Sequence, residues 1–114
     1  MVVAKFRVAM EGIFYTVRTQ VNMKVHLLAM MVVIGLGWYF KLKTWEWISV
    51  IIVITMVLAA ETFNTALEVT VNLYTDKYHP LAKIAKDVAA GAVLITALGA
   101  VAVGWLVFGP RLGF

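Results

Sequence analysis

The chain has 114 residues, 63% of them hydrophobic and 14% charged, with a formal net charge of +4 at pH 7 and a mean hydropathy of +0.93. A soluble domain carries about a quarter charged residues, so the composition excludes an ordinary water-soluble fold, and the length allows one domain. Cysteine is absent, which excludes a disulfide frame and any thiolate nucleophile or metal site; the basic residues sit at the ends of apolar runs, so no nucleic-acid partner is expected.

Residues 1–19 place Phe6, Met10, Ile13, Phe14 and Val17 at helical spacing, with Lys5, Arg7, Glu11 and Arg18 off that stripe. This pattern predicts an amphipathic helix lying in the membrane interface; a solvated helix packed on another element is the alternative. The same charges leave no signal-peptide pattern. A first membrane-spanning helix is expected over 25–40, roughly 24 Å of helix and short for a hydrocarbon core of about 30 Å. His26 near one end and Trp38-Tyr39 near the other suit interface anchors, as do Trp45, Trp47 and Trp105. The second span is expected over 47–74, longer than a crossing needs, so its last turns should emerge from the hydrocarbon. The third, over 88–108, is uncharged and carries Ala92, Thr96, Ala100 and Gly104 at four-residue spacing, a seam where another helix can approach.

The fold class expected is thus an all-α membrane protein, a single domain over 1–114. Three spans shield polar groups poorly from lipid, so self-association is expected. An odd number of crossings puts Lys5, Arg7, Arg18, Lys24, Lys77, Lys83 and Lys86 on one side, seven of the ten basic residues. The excess marks that side as cytoplasmic.

Polar residues interrupt the second span. Glu61, Asn64 and Glu68, three and four apart, project from one helical face. An ionisable residue inside a span costs several kcal/mol and points to function. Glu61 is expected at the inner boundary of the hydrocarbon and Glu68 closer to water. On the same side lie Asp76-Lys77-Tyr78-His79-Pro80, Lys83, Lys86 and Asp87. Lysines around a helix N-terminus suit a polyphosphate, and carboxylates near phosphates are commonly bridged by magnesium. Together these residues suggest phosphate chemistry on a membrane-embedded substrate. The competing structural explanation is that Glu61 and Glu68 pair with lysines of neighbouring helices. The chain contains neither a P-loop nor a Ser-His-Asp pattern.

Two segments carry a family resemblance. ETFNTALE, residues 61–68, resembles the E-x-x-N-S/T-A-I/L-E motif of the small prokaryotic lipid kinases, the diacylglycerol kinases and undecaprenol kinases. YHPLAKIAKDVAAGAVL, residues 78–94, is similar to the second motif of that family, in which Tyr-His precedes Ala-Lys-Asp. The likeness covers essentially the whole chain, and EGI at 11–13, NMKVH at 22–26 and FGPR at 108–111 look like the Gram-positive branch, whose usual lipid is undecaprenol.

The resemblance implies a bacterial inner-membrane, multi-pass homotrimer with active sites shared between subunits and facing the cytoplasm. Its activity would be transfer of the ATP γ-phosphoryl group to a lipid hydroxyl with Mg2+. Position by position, it implies Glu61 as general base, Asn64 holding Glu61 or the hydroxyl, and Glu68 on magnesium. Lys77, Tyr78, His79, Lys86 and Asp87 fall in the nucleotide region, with Lys86 on phosphate and Asp87 orienting it. Glu11, Tyr15, Arg18 and Asn22 are expected toward the lipid, although Arg18 and Tyr15 also suit snorkelling and Asn22 suits a helix cap.

Two departures stand out. Gln20 occupies the place of a second magnesium glutamate, offering a carbonyl oxygen without charge, with Glu11 as a substitute ligand. Asn72 stands where the family has aspartate. Diacylglycerol is the alternative substrate, and a catalytically inert membrane assembly protein is the alternative of another class.

Overall fold

Both prolines of the chain, Pro80 and Pro110, sit at the first positions of helical segments, where a missing N–H costs nothing. The structure, a computed structural model describing residues 1–114, is accordingly helical throughout and contains no strand. Helix α1 spans Val2–Thr19, α2 Val21–Phe40, α3 Thr44–Tyr74 and α4 Pro80–Phe108, followed by a 3-10 turn at Pro110–Leu112. The last three helices are long and apolar enough to cross a membrane. At 31 residues, α3 runs about 46 Å, so it outreaches a hydrocarbon core.

Each long helix begins before the apolar run that announces it. α2 starts at Val21 rather than 25 because Lys24 interrupts hydropathy without interrupting helical geometry. α3 starts at Thr44 rather than 47; Glu46 accepts the Lys43 N–H at 3.0 Å and caps its first turn. α4 starts at Pro80 rather than 88, with His79 Nδ1 accepting the Leu81 N–H at 3.1 Å. Its first turns carry Lys83, Lys86 and Asp87, the residues expected around the helix start.

Between α1 and α2 the chain needs only Gln20, in extended conformation. Between α2 and α3, Lys41 takes φ 55°, and the Leu42 N–H returns to the Gly37 carbonyl at 3.1 Å. Gly37 is what allows this turn to close: a methyl group there would sit 2.5 Å from the far edge of the Trp47 ring.

The packed core lies at this end. Leu42, Val50, Val107 and Phe108 are buried, with Val33, Phe40, Trp47, Ile54 and Val103 against them. Trp47, expected in an interface belt, is thus half-buried in the core and stacks obliquely on Trp38 at 5.9 Å. Arg111 closes the same end by a two-pronged bond to Glu46, 2.6 Å on each nitrogen, and also donates to the Val107 carbonyl. That bond raises the Arg111 pKa against the opposing effect of desolvation, and Coulomb attraction adds to it, so the guanidinium stays charged.

The small-residue seam is not closely packed at its Gly104 end. A methyl added at Gly104 would meet nothing within 4 Å, and Ala100 and Gly104 instead line an apolar cavity of about 210 Å³ between α2, α3 and α4.

Candidate active site

Helical periodicity puts Glu61, Asn64, Thr65, Glu68 and Asn72 along one side of α3. Glu61 is 1% exposed, Asn64 7% and Thr65 2%, so the face that the pattern marks as polar is the face turned into the protein. Thr65 donates to the Glu61 carbonyl at 2.9 Å, satisfying its hydroxyl inside the helix. Asn64 Nδ2 donates to Glu68 Oε1 at 3.3 Å.

The Glu61 carboxylate receives no hydrogen bond on either oxygen, and the Asn64 Oδ1 receives none. Buried polar atoms are normally paired, so three open acceptors on one face mark a place built for a donor or cation. No lysine lies within 4 Å of Glu61 or Glu68, which removes lysine pairing within the chain as their explanation. The one basic group near Glu61 is His26 of α2, with Nε2 at 3.5 Å from Oε2. His26, expected as an interface anchor, therefore faces the acidic side chain. Hydropathy and position near a helix end pointed elsewhere, and no spacing within α2 could reveal a neighbour on α3.

The second group of residues surrounds a cavity of about 250 Å³ at the α3–α4 turn, lined by Asp76, Lys77, Tyr78, His79, Ala82, Lys83, Lys86 and Asp87. All five residues expected in the nucleotide region belong to it. The Lys77 N–H bonds Thr75 Oγ1 at 3.1 Å, which tightens the turn. His79 uses Nδ1 to cap α4, leaving Nε2 to carry the proton of the neutral ring. Lys83 holds Asp87 at 2.6 Å. Lys86 reaches across to α3 and donates to Asn72 Oδ1 at 2.8 Å.

That bond joins the two groups. Asn72 is one turn beyond Glu68, so the acidic face of α3 leads directly to the lysine of the polar cavity. Asparagine holds the ammonium without neutralising it, as an aspartate would.

The third group is separate. Arg7, Met10, Glu11, Phe14, Tyr15 and Arg18 line a shallow depression of about 530 Å³ on α1. Arg7 and Glu11 pair at 3.7 Å in solvent, and Arg18 lies 5.9 Å from the Tyr15 ring centre. Between α1, α2 and α3 runs an apolar groove of about 490 Å³, lined by Ile13, Val17, Met23, Leu27, Leu58, Thr62 and Phe63 among others. Asn22 is exposed at the start of α2 and makes no side-chain cap. Gln20 marks the α1–α2 break, and its side chain donates only to Thr19 Oγ1 at 3.5 Å.

Magnesium is held through one or two carboxylates together with water and phosphate oxygens rather than by an all-protein cage. No group of three acidic or histidine side chains gathers in the chain. Glu68 is half-buried and takes a hydrogen bond only from Asn64, so its carboxylate fits the sparse protein share that such an ion takes.

The sequence profile of the family described as prokaryotic diacylglycerol kinase matches residues 7–108. The chain is 43% identical over 102 residues to an undecaprenol kinase of Bacillus subtilis, covering 90% of this chain and 83% of that protein. It is 40% identical over 108 residues to a diacylglycerol kinase of a Synechocystis strain, covering 94% of this chain and 62% of that longer protein.

Proposed function

This chain belongs to the prokaryotic diacylglycerol kinase family, and on that premise we propose that it transfers the γ-phosphoryl group of ATP to the hydroxyl of a membrane lipid, undecaprenol in the first place. The observation that carries this reading is the Glu61 carboxylate, buried yet unbonded on both oxygens, on the face of α3 that runs through Glu68 to Asn72 and the Lys86 it binds.

Glu61 takes the proton of the lipid hydroxyl. The lipid oxygen then attacks the γ-phosphorus, the bond from that phosphorus to the β–γ bridging oxygen breaks, and ADP leaves. Phosphoryl transfer asks a protein mainly for positioning and charge compensation. Lys86 supplies a positive charge that Asn72 aims without cancelling. Asn64 and Glu68 support each other at the end of the face nearer the nucleotide, and they would hold magnesium, with Gln20 offering a further oxygen. When bound, the ion screens the phosphate charge. Lys77, Tyr78 and His79 border the nucleotide, and Asp87 fixes the local geometry through Lys83. Arg18, Tyr15, Glu11 and Asn22 meet the lipid headgroup region from α1 and the α1–α2 junction.

Undecaprenol is favoured over diacylglycerol by the Gram-positive character of the motifs and by the 43% identity to a protein carrying that name. The protein acts as a homotrimer in the bacterial inner membrane with its site toward the cytoplasm, the side with seven of ten basic residues. The test is transfer of labelled phosphate from ATP, with magnesium, to undecaprenol and to diacylglycerol offered separately in lipid nanodiscs. Label enters undecaprenol preferentially, and Glu61→Gln lowers kcat by about 10²–10⁴-fold while nucleotide still binds. Label in diacylglycerol alone reverses the substrate; label in neither lipid leaves an inert assembly protein. Loss of nucleotide binding in Glu61→Gln would remove Glu61 from the role of base.

A further inference from the structure

The proposed transfer uses Glu61 but gives no role to His26, which shares a property with it. Each is buried or nearly so, with side chains 1% and 20% exposed, and each has polar atoms without a hydrogen bond: both Glu61 oxygens and His26 Nε2. These open atoms face one another, Nε2 lying 3.5 Å from Oε2. That separation is ion-pair reach, one small side-chain rotation short of a hydrogen bond. The two residues come from different helices, so their meeting reflects α2–α3 packing and not local sequence.

The surroundings leave neither group another choice. His26 borders the apolar cavity of α2, α3 and α4, whose other lining side chains are alanines, valines, leucine, isoleucine, methionine and phenylalanine, with one glycine. An imidazole so placed finds its only acidic partner in Glu61.

We infer that His26 is a positioning residue for the catalytic carboxylate: its Nε2–H holds Glu61 Oε2, which fixes the side-chain rotation and leaves Oε1 as the oxygen that receives the lipid hydroxyl. A glutamate has three rotatable bonds, and a base must lie within hydrogen-bond reach of the proton it removes. Tethering one oxygen by a donor converts a swinging carboxylate into an aimed one. A hydrogen bond to a carboxylate oxygen is among the stronger ones. The inference rests on the reading of Glu61 as base, given above.

Three variants test it in nanodiscs, each checked for wild-type melting and oligomeric state. His26→Leu removes the donor at similar volume and lowers kcat by about 10- to 100-fold, with KM for ATP and for lipid within about twofold. His26→Gln places an N–H donor at similar reach and restores kcat to within about fivefold of wild type. Should His26→Leu fail to fold, His26→Asn, whose amide falls short of Glu61, takes its place. A second measurement does not depend on turnover: the infrared carboxylate band that disappears in Glu61→Gln shifts in His26→Leu and returns in His26→Gln. An unchanged kcat in His26→Leu, a loss carried by KM, a His26→Gln variant as impaired as His26→Leu, or an unmoved band would each overturn the inference. Absence of lipid phosphorylation by the wild type, with the band shift intact, would instead count against the kinase reading alone.

Discussion

Gln20 and Asn72 are neutral where the resemblance implies acidic residues, and the structure places them differently. Asn72 sits in the structure with a defined partner: its Oδ1 accepts from Lys86 without cancelling the ammonium charge. Gln20 bonds only to its neighbour Thr19, so its carbonyl oxygen contributes to a metal at most what a neutral ligand can. Restoring the charge should therefore matter. In Gln20→Glu, the magnesium concentration giving half-maximal activity falls by about tenfold, the lower end of what altering a metal's surroundings does. A magnesium titration of initial rate reads this directly, and an unchanged curve would place residue 20 outside the metal's reach.

The turn that joins α2 to α3 shows how one element boundary governs packing far from the chemistry. Gly37 lies under the Trp47 ring, and Trp47 in turn packs on Leu42, Val50 and the end of α4. A methyl group at 37 has no room unless the indole moves, and the indole is held by Trp38 and the core. Gly37→Ala is expected to cost about 1–3 kcal/mol, seen as a lowered Tm in detergent. Because this end is remote from Glu61, kcat of the folded fraction should stay close to wild type. An unchanged Tm would mean that Trp47 swings aside freely. The same end carries the Glu46–Arg111 bond, which ties the residues after α4 back to the first turn of α3. Removing Arg111 would leave the Glu46 carboxylate, 4% exposed, without its cation.

At the scale of the whole molecule, one chain offers few groups for its task. Only 13 of 114 residues are buried, and no three acidic or histidine side chains converge. Glu61 and Asn72, the α3 partner of Lys86, stand eleven positions apart on one face, roughly 16 Å of helix. Sites shared between subunits would bring the base of one copy to the nucleotide region of another. Co-assembly tests this: Glu61→Gln chains mixed with Lys86→Ala chains recover a clear fraction of wild-type activity if each site draws on two copies, since some sites then hold both intact residues. Activity no higher than either variant alone would confine each site to one chain.

Much of this protein was legible from residue order. Hydropathy and proline placement determine four helices, because helix geometry in an apolar solvent satisfies the backbone whatever the neighbours are. The spacing of Glu61, Asn64 and Glu68, and the grouping of Lys77, His79, Lys86 and Asp87, determine the two polar groups, because each lies within one helix face or one turn. Helix starts at 21, 44 and 80 escaped the apolar runs, since caps and charged turns extend a helix without adding hydropathy. Only tertiary packing decided that His26 faces Glu61, that Lys86 leans on Asn72, that Trp47 is core, and that Arg111 locks on Glu46. These are contacts between helices, 14 to 65 residues apart for the hydrogen bonds. Nothing in the periodicity of one helix specifies which face of another will meet it.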